Sequence, residues 1–296
     1  MYIFARMQVY SNHGDEVQES SDVWKAVTAY LNEDTDDVKC YINMDDNVDL
    51  KSPVRHFDKW NDQVKKLASN VRAVLEDKPS SRMILYGKSP LACFTLLGAY
   101  VKTPPIIVNE FPYNSGTWQV FDLHKDFLDN TGQHHKSRHL LAKKRRPIDS
   151  TVAKSQKKKY FLLFVTLDTY DISDEQFEKI NKEIEQEDDG VIATAVRMAP
   201  ASEKKMPLSP STKAPEESEI DTAALSYIIW DVYDQIEMFV NVWYYAGVIV
   251  IPSGPAPVAY MLGTYYRPSA HGKLLLYEMV NGNYVRAASI NREEED

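Results

Sequence analysis

Apolar positions recur along this chain in two alternating rhythms. Short runs rich in Val, Ile and Leu read as strands. In the first half these are Tyr2–Met7, Val38–Ile42, Met83–Tyr86, Ile106–Glu110 and Thr117–Phe121. In the second half they are Tyr160–Leu167, Val191–Arg197, Val248–Ile251, Leu274–Glu278 and Tyr284–Ala288. Between them the spacing changes to threes and fours, as in Phe57, Trp60, Val64, Leu67, Val71 and Val74, which predicts a helix over 57–77. Further helices are predicted at Val23–Leu31, Pro90–Val101, Asp174–Gln186, Thr222–Ala246 and Pro255–Tyr266. Ser20, Ser21 and Asp22 are cap candidates for the first of these, and Ser173 for the third. The Pro/Ser/Lys/Glu-rich stretch Ala199–Glu219 has little to bury and is expected to be a mobile loop.

The two halves repeat each other. RMILYGKSPLACFTLLG (82–98) matches GVIVIPSGPAPVAYMLG (247–263) at an offset of 165, which aligns Pro90 with Pro255 and Gly98 with Gly263. A three-residue insertion then brings PIIVNEF (105–111) onto KLLLYEM (273–279), pairing Glu110 with Glu278. A duplication of this length is not a short solenoid repeat. It predicts an α/β fold of two Rossmann-like units in a pseudo-two-fold arrangement, with a site between them. Each unit should be a mostly parallel sheet with helices on both faces and a hairpin at the edge.

Length and composition fit this picture. The chain has 296 residues, enough for two units with their own cores, and is 44% hydrophobic and 26% charged. Two cysteines, Cys40 and Cys93, give no disulfide framework and suit reduced thiols in a cytoplasmic protein. No signal peptide is legible, and Phe239–Pro252 is too short to span a bilayer. Net charge is −9, unevenly placed: residues 122–159 hold eleven Lys/Arg against four Asp, or +7, which leaves −16 on the rest. This basic connector is either a solvated linker or a patch for an anionic ligand or acidic partner. The organisation is a first unit at 1–121, the connector at 122–159, a second unit at 160–290 and an acidic tail at 291–296.

Ligands of open α/β sheets collect at the carboxyl ends of strands, near helix N-termini. The repeated strand–turn–helix places Lys88, Ser89 and Pro90, and Ser253, Gly254, Pro255 and Ala256, at such ends. Free N–H groups and the dipole of a helix end favour phosphate, and Lys88 and the two serines would add donors. Either turn taken alone is equally a plain strand-to-helix connection. Arg6, the Asp168–Thr169–Tyr170 segment, and Glu110, Trp118 and Glu278 lie at other strand ends. Aromatics there could stack on bases and carboxylates could accept from exocyclic amines. Walker, GxGxxG, zinc-hydrolase and Gly-x-Ser-x-Gly signatures are absent, so no catalytic residue, metal site or cofactor is expected. His134, His135 and His139 lack the partners of a metal site.

The paired motif, an apolar strand, a Pro-containing turn and an apolar helix ending in Leu-Gly, resembles the SAVED family of bacterial antiviral sensors. That family, found in CBASS and type III CRISPR systems, joins two CARF-like units in one chain. The resemblance implies a cytoplasmic sensor that binds a cyclic oligonucleotide, most simply a cyclic tri- or tetra-adenylate, between its halves. It also implies ligand-driven head-to-tail assembly that switches on a separate effector protein, without membrane or long nucleic acid as partners. The ligand contacts it implies are Lys88, Ser89, Pro90, Ser253, Gly254, Pro255 and Ala256, then Arg6 and Asp168, Thr169 and Tyr170. A ring nuclease and a structural subunit that binds no nucleotide are the alternatives.

Overall fold

The computed structural model describes residues 2–8, 16–31, 38–45, 57–87, 89–103, 105–110, 118–123, 140–146, 156–166, 171–200, 231 and 245–291. The first half runs β1 (Tyr2–Gln8), α1 (Glu16–Leu31), β2 (Val38–Asp45), α2 (Phe57–Asp77), β3 (Arg82–Tyr86), α3 (Leu91–Val101), β4 (Ile106–Glu110) and β5 (Trp118–Asp122). After β6 (Leu140–Arg146) come β7 (Lys158–Thr166), α4 (Asp174–Asp188), β8 (Gly190–Pro200), β9 (Gly247–Ser253), α5 (Ala256–Tyr265), α6 (Pro268–His271), β10 (Lys273–Val280) and β11 (Asn283–Ile290).

The first sheet has the order β2-β1-β3-β4-β5, and the second contains the same order as β8-β7-β9-β10-β11. In each, four strands are parallel and the last turns back antiparallel. The duplication is therefore present strand for strand. The second sheet gains β6, paired antiparallel to β8 at its far edge. Part of the basic connector expected between the units is thus a strand of the second sheet. Its Lys143–Arg146 run disguises the strand pattern, and such charge is common where a sheet edge must resist further pairing.

Strand alternation sends every second residue to opposite sides, and the core divides accordingly. On one outer face α1 lays Val23 and Val27 against Phe4, Ile84, Tyr86, Ile106 and Val108. On the other, α4 lays Phe177, Ile180 and Ile184 against Leu162, Phe164, Ile249 and Tyr277. Between the sheets, α2, α3 and α5 form one shared core with Ala5, Leu85 and Ile107 from the first sheet and Leu163, Val250 and Leu276 from the second. The expectation of a separate core for each half gives way to this shared layer. Helices α3 and α5 are apolar nearly all round and buried, as a layer between two sheets demands.

The two helices meet at glycines. A Cβ on Gly98 would stand 2.1 Å from the Tyr260 carbonyl oxygen, and one on Gly263 would stand 1.9 Å from that of Thr95. Thr95 and Tyr260 are themselves equivalent at the offset of 165, so the contact is reciprocal. Beside it, the Tyr260 hydroxyl donates to Thr103 O at 2.8 Å, and Lys102 Nζ donates to Tyr266 O.

Several boundaries differ from expectation. Helix α1 begins at Glu16, so Ser20–Asp22 lie inside it and do not cap it; its polar first turns hide the period. Pro90 and Pro255 are the N-cap residues of α3 and α5, one position before the helices proper. Ser173 caps α4 as expected, with a reciprocal bond from Gln176. The expected helix over 222–246 and the loop after residue 200 lie almost wholly outside the described residues, and so do His134, His135 and His139. Cys93 is buried and unpaired in α3. No helix among the described residues is long and apolar enough to cross a membrane.

Alanine at Gly263 gains about 1 kcal/mol of helix propensity but must push α5 off α3. We expect the clash to win, with Gly263→Ala losing about 3 kcal/mol in chemical denaturation. A loss under about 1 kcal/mol would show that the two helices can back apart.

Candidate functional site

In both sheets the strand order reverses beside the first strand of the unit, the kind of switch point at which open α/β sheets take their ligands. In the first unit this lies between β1 and β3. The β3–α3 turn is drawn tightly onto β1 there. Gly87 takes φ +116°, and a Cβ would fall 2.3 Å from the Met7 carbonyl oxygen. Ser89 Oγ donates to the same oxygen at 2.8 Å. The Ser89 proton expected to serve a ligand is therefore engaged within the turn. Lys88 lies outside the described residues.

In the second unit β7 and β9 stay paired to their ends, with Thr166 opposite Ser253. Ser253, Gly254 and Pro255 are half-buried and lead into buried Ala256. Pro255 O accepts from Val258 N at 3.1 Å, the ordinary opening of a helix. Asp168, Thr169 and Tyr170 fall outside the described residues.

Arg6 stands elsewhere. It is 5% exposed and alternates with the inward Ala5 and Met7, on the side of Phe4 and Tyr86 that α1 covers. Trp118 and Glu110 are opposite one another in the β4–β5 register.

Glu278 is the residue that joins the units. It continues the inward face of Leu274 and Leu276, and its carboxylate accepts from Ala92 N, in the first turn of α3, at 2.9 Å. Leu91 N donates to it as well. A carboxylate from the second unit thus occupies the helix N-terminus that the sequence offered to phosphate. The contact also shows that α3 starts against the carboxyl edge of the second sheet, where α5 starts too. Burial pushes the Glu278 carboxyl up to about 7, and the two N–H bonds restrain the rise. Burial, with Glu278 beside it, also pushes the Cys93 thiol up. This cap was missed in the sequence because its donor and acceptor are 186 residues apart.

The registers correct one equivalence. Leu85 pairs with Ile107, and its repeat mate Val250 pairs with Leu276. Ile107 therefore matches Leu276, and the counterpart of Glu278 is Asn109 rather than Glu110. The insertion before β10 is four residues, and it holds α6. A slip of one residue exchanges the faces of a strand, which apolar runs on both faces cannot reveal.

Two cavities, of about 420 and 560 Å³, run along α2. The larger is lined by Asn61, Lys65, Leu96 and the Arg286–Ser289 stretch of β11. They lie beside the layer of helices and away from the strand ends, where much of the bordering chain is outside the described residues. The cavities therefore lie apart from the switch points and helix starts.

With its carboxyl held well above the usual range, Glu278 favours the fold when protonated. Its contribution is complete below the ordinary carboxylate range and is lost as pH rises through about 7. Wild-type stability should fall by about 1–3 kcal/mol more than that of Glu278→Gln between pH 4.5 and 8. Parallel pH profiles in urea denaturation would contradict this.

No protein-family model matches the chain, and no curated protein matches it. Solved structures do. The Cap4 SAVED/CARF-domain containing receptor of Acinetobacter baumannii with the cyclic trinucleotide 2'3'3'-cAAA aligns over 98% of this chain and 52% of its own, at 12% identity and TM-score 0.57. The same receptor with 3'3'3'-cAAA aligns over 86% and 48%, at 13% and 0.51. A further structure of that receptor aligns over 98% and 50%, at 12% and 0.52. The chain spans about half the length of the chains it matches. Its fold is the two-unit Rossmann-like fold of SAVED/CARF-domain receptors.

Proposed function

We propose that this chain is a sensor that binds a cyclic oligonucleotide at the shared carboxyl edge of its units. The observation that carries this reading is the convergence of the starts of α3 and α5 on one edge of the second sheet, established by the Glu278–Ala92 contact. Two helix starts at one edge, each behind a strand-to-helix turn, offer donors to more than one phosphate of a single ligand. The similarity in fold to a receptor solved with cyclic trinucleotides supports that class of ligand.

On this reading Ser253, Gly254 and Ala256 supply donors on the α5 side, and Pro90 and Pro255 shape the two turns. Lys88 supplies charge, while Ser89 fixes the first turn through Met7. Asp168, Thr169, Tyr170, Glu110 and Trp118 border the ligand. Arg6 supports β1 from the outer face. A cyclic tri-adenylate is the favoured ligand, and a tetra-adenylate the next. Binding promotes assembly and activates a separate effector in antiviral defence in the cytoplasm. The chain binds its signal without cleaving it, and no metal or other cofactor takes part.

The basic run of β6 has a lesser role in this reading. Three strand spacings, about 14 Å, separate β6 from β9. Its antiparallel course also carries Arg146 away from the carboxyl edge.

The test is a thermal-shift series with cyclic di-, tri- and tetra-adenylates, followed by calorimetry and light scattering on any ligand that stabilises the chain. A cyclic tri-adenylate should raise the melting temperature, with an affinity that falls as salt rises. Lys88→Ala combined with Ser253→Ala should weaken it about tenfold or more. A flat series on folded protein would overturn the reading. Appearance of a linear product would replace the sensor by a ring nuclease.

A further inference from the structure

The duplication makes its two helix starts unequal. At α3, Leu91 and Ala92 offer N–H groups and Glu278 receives them. At the repeat positions of α5 stand Ala256 and Pro257, and the register counterpart of Glu278 is Asn109. Proline has no N–H to give, and asparagine carries no charge. Both members of the contact are changed together, so the repeat positions cannot form the same charged cap at α5.

The surroundings of Glu278 leave its charge without a cationic partner in the described structure. From α3 the titratable group facing it is Cys93, a neutral thiol. Opposite it on β11 is Val285. The neighbouring Arg286 is held by Glu183, Glu187 and Asp188 of α4. Pairing with β9 has ended by Leu276. Helix α6 packs on β10, but its His271 precedes the strand, at the end away from Glu278. Among the described residues the carboxylate is balanced by two backbone N–H groups.

An anionic ligand at the same edge would meet this charge directly. Neutralising the carboxyl removes the repulsion and keeps the contact, because the carbonyl oxygen of a protonated carboxyl still accepts from N–H. We propose that Glu278 is a one-sided latch between the units that takes up a proton from solvent when a cyclic oligonucleotide binds beside it, so that binding tightens as pH falls. This rests on the ligand reading of the preceding subsection. The nearly neutral value to which burial brings this carboxyl places the uptake within the physiological range.

The test is calorimetric titration of the folded chain with cyclic tri-adenylate between pH 6 and 8, in buffers of differing ionisation enthalpy. The wild type should bind about tenfold more weakly at pH 8 than at pH 6 and take up close to one proton per ligand at the upper end. Glu278→Gln should show about a twofold change or less. Ala92→Pro, which copies Pro257, removes one of the two donors and serves as a second variant should the first fail to fold. It should shift the pH dependence relative to wild type. Binding that is flat with pH, or a wild-type pH dependence in both variants, would overturn the latch and leave the sensor standing. Absence of binding at every pH would overturn both.

Discussion

The closest constraint in this fold is the contact of two helix backbones at Gly98 and Gly263. Neither position has room for a methyl group, because each faces a carbonyl of the opposite helix. The approach brings two apolar helices together into one layer and sets the spacing of the sheets on either side. Everything packed on that layer inherits this geometry: the inward faces of both sheets, the Lys102 and Tyr260 bonds at one end, and Glu278 at the other.

The same layer explains why a polar group there has unusual weight. Helices α3 and α5 contain no charged residue, and the strands facing them are apolar until they end. Glu278 appears at that limit, where strand alternation still directs it inward but the apolar partners have run out. Two backbone donors are all that α3 provides. An environment built for packing has placed a carboxyl at the joint between the units, where a charged group arriving beside it would be felt.

Much of this was legible from the residues, though not equally. Strand and helix periods in 82–110 and 247–290 were plain because burial on both faces leaves uninterrupted apolar runs. Their repetition identified the pseudo-two-fold arrangement. β6 was hidden because Lys143–Arg146 reads as linker charge while serving as an edge strand. The pairing of Glu110 with Glu278 went astray by one residue because β4 and β10 are apolar on both sides. Only hydrogen-bond register distinguishes their faces. The Glu278–Ala92 contact lay beyond any local pattern, since its partners belong to different halves. The turns at Ser89 and Ser253 were found by motif, but the engagement of Ser89 by Met7 required the course of β1.

The glycine contact has a consequence for the origin of the two halves. Each half presents a glycine and, three residues before it, the carbonyl that the other half's glycine accommodates. The joining surface is therefore complementary to itself. Two identical copies of either half would bring the same groups into the same places, as in a symmetric homodimer. Within one chain the two sides are free to differ wherever symmetry is not needed for packing. The difference between Glu278 and Ala92 on one side and Asn109 and Pro257 on the other is one that no homodimer could carry on one side alone.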